Sequence, residues 1–314
     1  VMMETEVESM LQQHGQHGLE HPVPAALPDF WSAWDGSGIL ISVAAAALYL
    51  TLFGPLRSRF SRSEPLTRRQ LAMFGTAVAI FFVAAASPLH AYGMHVSFSA
   101  HMLQMSLLLF VLPPFVLQAI PPWAWRGLLR HNGLQKLLAV LTHPLCSLLL
   151  FNFLLTMYHL PAIFDTIFLD HTLHRLYQLL LALCALLLWW PVAPSLPQRK
   201  RLTPLQKIAY LFAGGAALLP ACALLVFAGR PLYQAYEDAP PLVPFLTGLD
   251  DQQLGGILMK LIQELSFGCA LWFAFLEWYR REQETERENQ LPAEPLRNVP
   301  PVAAKPEAWR EGLE

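Results

Sequence analysis

Charged residues are scarce in this chain. Of its 314 residues, 14% are Asp, Glu, Lys or Arg against 54% hydrophobic, a balance too apolar for an ordinary soluble domain of that length. Cysteine is scarcer still. Cys146, Cys184, Cys222 and Cys269 are scattered through apolar stretches with no Cys-x-x-Cys pair, which argues against a disulfide framework or a thiolate metal site and leaves them as small buried hydrophobes. There is no phosphate-cradling glycine loop, no nucleophile elbow and no His-Glu-x-x-His helix, so the common enzyme signatures are missing. No basic patch suggests nucleic acid; the arginines read as anchors against anionic membrane lipid.

What the chain does have is long apolar runs. A helix needs about 20 mostly apolar residues to cross the hydrocarbon core. Seven stretches qualify: Ile39–Leu56, Leu71–Leu89, Phe98–Ala119, Pro144–Pro161, Leu173–Val192, Ile208–Ala228 and Leu254–Tyr279. The fourth is the weakest, being short and interrupted by Asn152. Backbone polar groups in lipid must be satisfied internally, and these runs are too long for barrel strands, so the expectation is an all-α polytopic bundle of seven transmembrane helices. Residues 1–38 form a leading segment without a signal-peptide pattern, residues 39–279 the bundle, and residues 280–314 a charged, Pro-rich tail. That tail composition fits a helical extension of the last span that frays into disorder.

Orientation follows from the basic residues. All 21 Lys and Arg except Arg175, Arg230 and Lys260 fall in one alternate set of segments. The positive-inside bias therefore puts the N-terminus outside and the C-terminus in the cytoplasm, in a bacterial cell membrane. Prolines mark helix ends: Pro88 closes the second span, Pro161 the fourth and Pro191 the fifth. Pro113-Pro114 and Pro220 are expected to kink or end the third and sixth.

The histidines show the opposite bias. Of 11, only His131 and His143 face the cytoplasmic side. His90 and His95 are placed in the loop between the second and third spans, His101 in the first turn of the third with Met105 one turn on. His159 closes the fourth span, and His171 and His174 open the fifth. Met94, Met102 and Met157 lie at similar depth. One interfacial histidine is inexpensive, because its polar edge reaches water. Six at one level point to metal, and imidazole with thioether favours copper, although zinc would accept the histidines too. The leader carries Met2, Met3, Met10, His14, His17 and His21, a composition that can hold a soft metal or simply be polar chain. Lys260 and Glu264, one turn apart in the seventh run, are expected to pair or face the interior, with a structural role favoured over a proton relay.

These residues together resemble the multi-span CtaG-type cytochrome c oxidase assembly factors. The likeness is carried by Ser87-Pro88-Leu89, Ser99-Ala100-His101-Met102-Leu103-Gln104, Leu112-Pro113-Pro114, His143-Pro144, His159-Leu160-Pro161 and the His171/His174 pair. Trp189-Trp190-Pro191, Pro231-Leu232-Tyr233 and Asp251-Gln252-Gln253-Leu254-Gly255-Gly256 complete it. The resemblance implies a non-enzymatic factor that matures a haem–copper oxidase by helping copper reach the catalytic subunit, with a periplasmic copper chaperone as a further partner. The metal role then falls on His101, Met105, His159, His171 and His174, with His90 and His95 beside them. Met105 departs from a second histidine, Tyr158 from a frequent Trp, and Lys260 from an aromatic residue. The acidic residues Glu237, Asp238, Asp250 and Asp251 offer a docking loop. Two other readings compete: a b-type cytochrome with haem between facing histidines, and a copper transport or resistance protein.

Overall fold

Polar caps and prolines write the helix starts of this chain. The computed structural model describes residues 27–59, 64–128, 132–193, 202–246 and 248–290, and the described residues contain helices and turns but no strand. The Met/His leader, His131 and the Pro-rich tail lie outside them. Helix α1 (Gly36–Phe53) is capped by Asp35, whose carboxylate accepts from the Ser37 and Gly38 amides. Helix α2 (Arg68–Ala85) opens with a reciprocal capping box between Thr67 and Gln70. After a break at Ser87, α3 (Pro88–His95) carries the second crossing on. Pro88 therefore starts a helix rather than closing one, its missing N–H costing nothing at the first helical position. His90 and His95 are helical, not loop, residues.

The third crossing joins α4 (Phe98–Ser106), a π-helical turn (Leu107–Val111) and α5 (Leu112–Ala119). Pro113 and Pro114 do not end it. A proline ring crowds the carbonyl one turn back, and the wider turn just before the pair takes up that misfit. Two short helices follow, α6 (Pro122–Leu128) and α7 (Asn132–Leu141). Helix α8 (Pro144–Tyr158) has only 15 residues. At 1.5 Å per residue it rises about 22 Å, short of a hydrocarbon core of about 30 Å. It qualifies as a crossing only together with α7, from which it bends by 70° at His143-Pro144. Among the described residues six helices are long and apolar enough to span, seven when that bent pair counts as one.

An unanticipated short helix, α9 (Pro161–Leu169), begins at Pro161 and leads into α10 (His171–Trp189). The sixth crossing is broken at Leu218 into α11 (Pro204–Ala217) and α12 (Leu219–Val226), as Pro220 requires. The last helix, α13 (Gly248–Gln290), runs 43 residues and continues past residue 280 as a helical extension of the last span.

The third crossing is the hub. It is the most buried of the spans, packed by α3 and α13 along α4 and by α2 along α5, while α13 also lies against α11 and α12. Gly255 lets α13 approach closely: a Cβ there would sit 2.7 Å from Phe98 and 3.0 Å from Met102. Lower on α13, the Lys260 ammonium meets Glu264 at 2.5 Å and donates to the Gly215 carbonyl at 2.8 Å and to Gln263 at 2.9 Å. It thereby ties α13 to α11. Asn152 donates its amide to the Leu148 carbonyl of its own helix.

Candidate functional site

One end of the bundle gathers buried polar and aromatic side chains around the start of α4. Ser97 caps that helix, its hydroxyl accepting from the Ala100 amide. Asp251, from the first turn of α13, caps it a second time from outside. Its carboxylate accepts from the Phe98 amide at 2.6 Å, from the Ser97 and Ser99 hydroxyls at 2.8 and 2.5 Å, and from the Ser99 amide. An anion at a helix N-terminus satisfies free amides and complements the helix dipole. Asp251 is buried for this purpose and is not part of an exposed acidic loop, whereas Glu237, Asp238 and Asp250 are exposed.

This double cap sets His101 in place, one turn into α4. Gly93 of α3 crosses directly behind it, where a Cβ would lie 3.0 Å from the His101 backbone nitrogen and Cα. His101 is fully buried, and its Nε2 lies 2.9 Å from the Tyr158 hydroxyl at the end of α8. The same hydroxyl lies 3.4 Å from Nδ1 of His174 on α10. The His101 and His174 rings are 5.5 Å apart, walled by Phe164 and Phe168 of α9. Among the described residues the Nδ1 of His101 has no hydrogen-bond partner.

His159 caps the C-terminus of α8 and turns elsewhere. Its Nδ1 lies 2.6 Å from the Leu155 carbonyl and its Nε2 3.4 Å from the Met102 sulfur. A carbonyl only accepts, so Nδ1 carries a proton. In the neutral ring Nε2 then presents a lone pair to sulfur, which has no proton to give. Both residues are buried, at 1% and 0% exposure, and burial disfavours an imidazolium that would turn the contact into an N–H···S bond.

The other expected ligands go separate ways. Met105 is buried, but its sulfur accepts from Gln178 on α10 at 3.3 Å. His171 is exposed at the start of α10, beside the Asp170 cap. His90 Nδ1 accepts from Gln104 at 2.9 Å, and His95 sits half-buried in the last turn of α3. Among the described residues no three His, Cys, Asp or Glu side chains are grouped to hold an ion. What converges instead is a trio, His101/Tyr158/His174, and a couple, Met102/His159. Sequence reasoning met Tyr158 only as a departure from a frequent Trp, and placed Met102 only by depth and within a shared motif. The adjacency of His101 to Met102, and of Tyr158 to His159, was the available signal.

A strap covers the cluster. Following α12, the Tyr233 hydroxyl donates to the His159 carbonyl at 2.8 Å and the Tyr236 hydroxyl to the Gly93 carbonyl at 2.5 Å. Burial pushes both phenols well up, so both stay protonated donors. The carboxylate of Asp165 on α9 accepts from the Gln234 and Ala235 amides. Gln252 accepts from the Leu232 amide and donates to the Leu225 carbonyl. Above the strap opens a cleft of about 610 Å³ bordered by Ser97, Phe98, Arg230, Tyr233, Tyr236 and Glu237. Phe98 stacks on Tyr233 at 4.7 Å and contacts Phe164, which contacts His101, so a short wall of rings separates the cleft from the histidines.

The family described as cytochrome c oxidase caa3 assembly factor (Caa3_CtaG) matches residues 47–281. An uncharacterized protein of Mycobacterium leprae (strain TN) is 22% identical over 289 residues, covering 84% of this chain and 42% of that protein. The chain thus spans less than half the length of that relative. No solved structure matches the chain.

Proposed function

Since the chain belongs to the cytochrome c oxidase caa3 assembly factor family, we propose that it receives copper as cargo at the outer end of its bundle and passes it to the oxidase catalytic subunit. The observation that carries this reading is the Met102–His159 couple. A buried imidazole lone pair facing a thioether at 3.4 Å is a poor contact by itself, because neither atom has a proton to share. Donors held about 2.0 Å (nitrogen) and 2.3 Å (sulfur) from one ion at a roughly tetrahedral angle would stand about this far apart. Thioether with imidazole selects Cu(I) among the common ions.

Two protein donors make a weak, exchangeable hold, which suits cargo. The basic residues of the opposite loops orient this end away from the cytoplasm, where a periplasmic chaperone can approach. The cleft above the strap and the exposed Glu237 and Asp238 are the surface that such a partner would meet. The protein performs no chemical conversion in this role.

The test uses Met102→Leu and His159→Gln. Each is expected to weaken Cu(I) retention by the purified full chain ~10–100-fold, the scale on which metal sites respond to a lost partner, and to lower the copper content and activity of the oxidase in cells. Wild-type Cu(I) retention together with a fully metallated oxidase in both variants would refute copper handling at this site.

A further inference from the structure

The trio and the couple differ in chemistry, and the way the chain splits them between adjacent residues has a functional meaning. On α4, His101 and Met102 are neighbours; at the end of α8, Tyr158 and His159 are neighbours. His101 meets Tyr158, and Met102 meets His159. One group therefore has nitrogen and oxygen donors with His174 as a third member, and the other has nitrogen and sulfur.

We infer that His101, Tyr158 and His174 form a second ion station, which takes a divalent borderline cation, Cu(II) or Zn(II), beside the sulfur-bearing station that takes Cu(I). This rests on the copper-handling reading above. Imidazole and phenolate oxygen suit Cu(II) and Zn(II), whereas a thioether suits Cu(I). The separations fit: 2.9 Å from His101 Nε2 to the Tyr158 oxygen and 3.4 Å from there to His174 Nδ1. Donors about 2.05 Å from a shared ion subtend those spans at angles of roughly 90° and 110°. All three side chains are buried, at 0%, 1% and 2% exposure, and they come from three different helices, so the site is built by the fold rather than by one local motif.

The protons balance. Without an ion, an N–H at His101 Nδ1 would have no hydrogen-bond partner. With the His101 proton on Nε2, the ring donates to Tyr158 and the Tyr158 hydroxyl donates on to His174. Loading releases one proton, that of the Tyr158 hydroxyl, as the oxygen–metal bond forms, and shifts the His101 proton to Nδ1. The buried, unpartnered N–H left there weakens the hold, as an exchangeable station requires. No electron moves in this step; the two stations differ only in the ion each accepts.

The experiment titrates the purified full chain in detergent with Cu(II) and Zn(II), and separately with Cu(I) against a Cu(I) chelator. Wild type is expected to develop a visible phenolate-to-Cu(II) charge-transfer band. Tyr158→Phe should abolish the band and weaken Cu(II) and Zn(II) binding ~10-fold or more, with Cu(I) binding unchanged. His174→Gln, which keeps the phenol, should weaken Cu(II) and Zn(II) binding comparably. Met102→Leu should do the converse, losing Cu(I) and keeping the band. Absence of the band in wild type, an unaltered Cu(II) affinity in Tyr158→Phe, or equal loss of Cu(I) and Cu(II) in that variant would overturn the second station. Unaltered Cu(I) binding in Met102→Leu would instead sink the copper-handling reading itself.

Discussion

Single side chains decide how the site is held, and Asp251 does most of it. Its carboxylate serves two amides and two hydroxyls at the start of α4 from a helix more than 150 positions away in sequence. Asp251→Ala leaves the Phe98 and Ser99 amides buried without that acceptor and removes the charge facing the helix dipole. The expected cost is about 2–4 kcal/mol, more than for Asp251→Asn, whose amide oxygen still accepts. Thermal unfolding in detergent checks the order of the two variants; equal stability of Asp251→Ala and wild type would show the cap to be dispensable. The sequence marked Asp251 as part of a shared motif, yet assigned it outward to a docking loop. Nothing in one-dimensional spacing tells a capping carboxylate from a solvated one. Lys260 and Glu264 were legible because a one-turn spacing of opposite charges inside an apolar run has few other outcomes.

At the level of elements, close crossings place the donors. The contact of α3 with α4 is tightest at Gly93, where any side chain must push on the His101 backbone rather than on a movable ring. Gly93→Ala is therefore expected to cost about 1–3 kcal/mol by overpacking and to weaken Cu(II) more than Cu(I) binding, because His101 moves first. Comparing the two affinities beside a melting curve checks this; a wild-type melt with both affinities intact would mean that α3 yields without moving α4. Helix breakers were only half readable. Pro220 breaks the sixth crossing at Leu218, but Pro113-Pro114 is absorbed by the π turn at Leu107–Val111, and Pro88 and Pro161 each begin a helix. A proline forbids a helix interior but is at home in a first turn, and sequence alone does not say which of the two it occupies.

For the whole molecule, the arrangement is a multi-pass bundle with one polar, aromatic end. Reporter fusions test its orientation. A fusion after residue 290 is expected to read cytoplasmic and an insertion near residue 238 extracytoplasmic; the reverse pair would turn the site toward the cytoplasm and overturn the proposed periplasmic route for copper. The apolar runs and their order were settled by composition, since a backbone in lipid has little choice but to become helix. The family was legible from short motifs in sequence order. Which histidines meet was not. His101, His159 and His174 come together with Met102 and Tyr158, while His171, His90 and Met105 turn to other surroundings. Depth along a helix is written in the sequence. Azimuth around it depends on where a span bends, how closely a glycine lets its neighbour approach and which carboxylate reaches its first turn, and those are contacts between residues far apart in the chain.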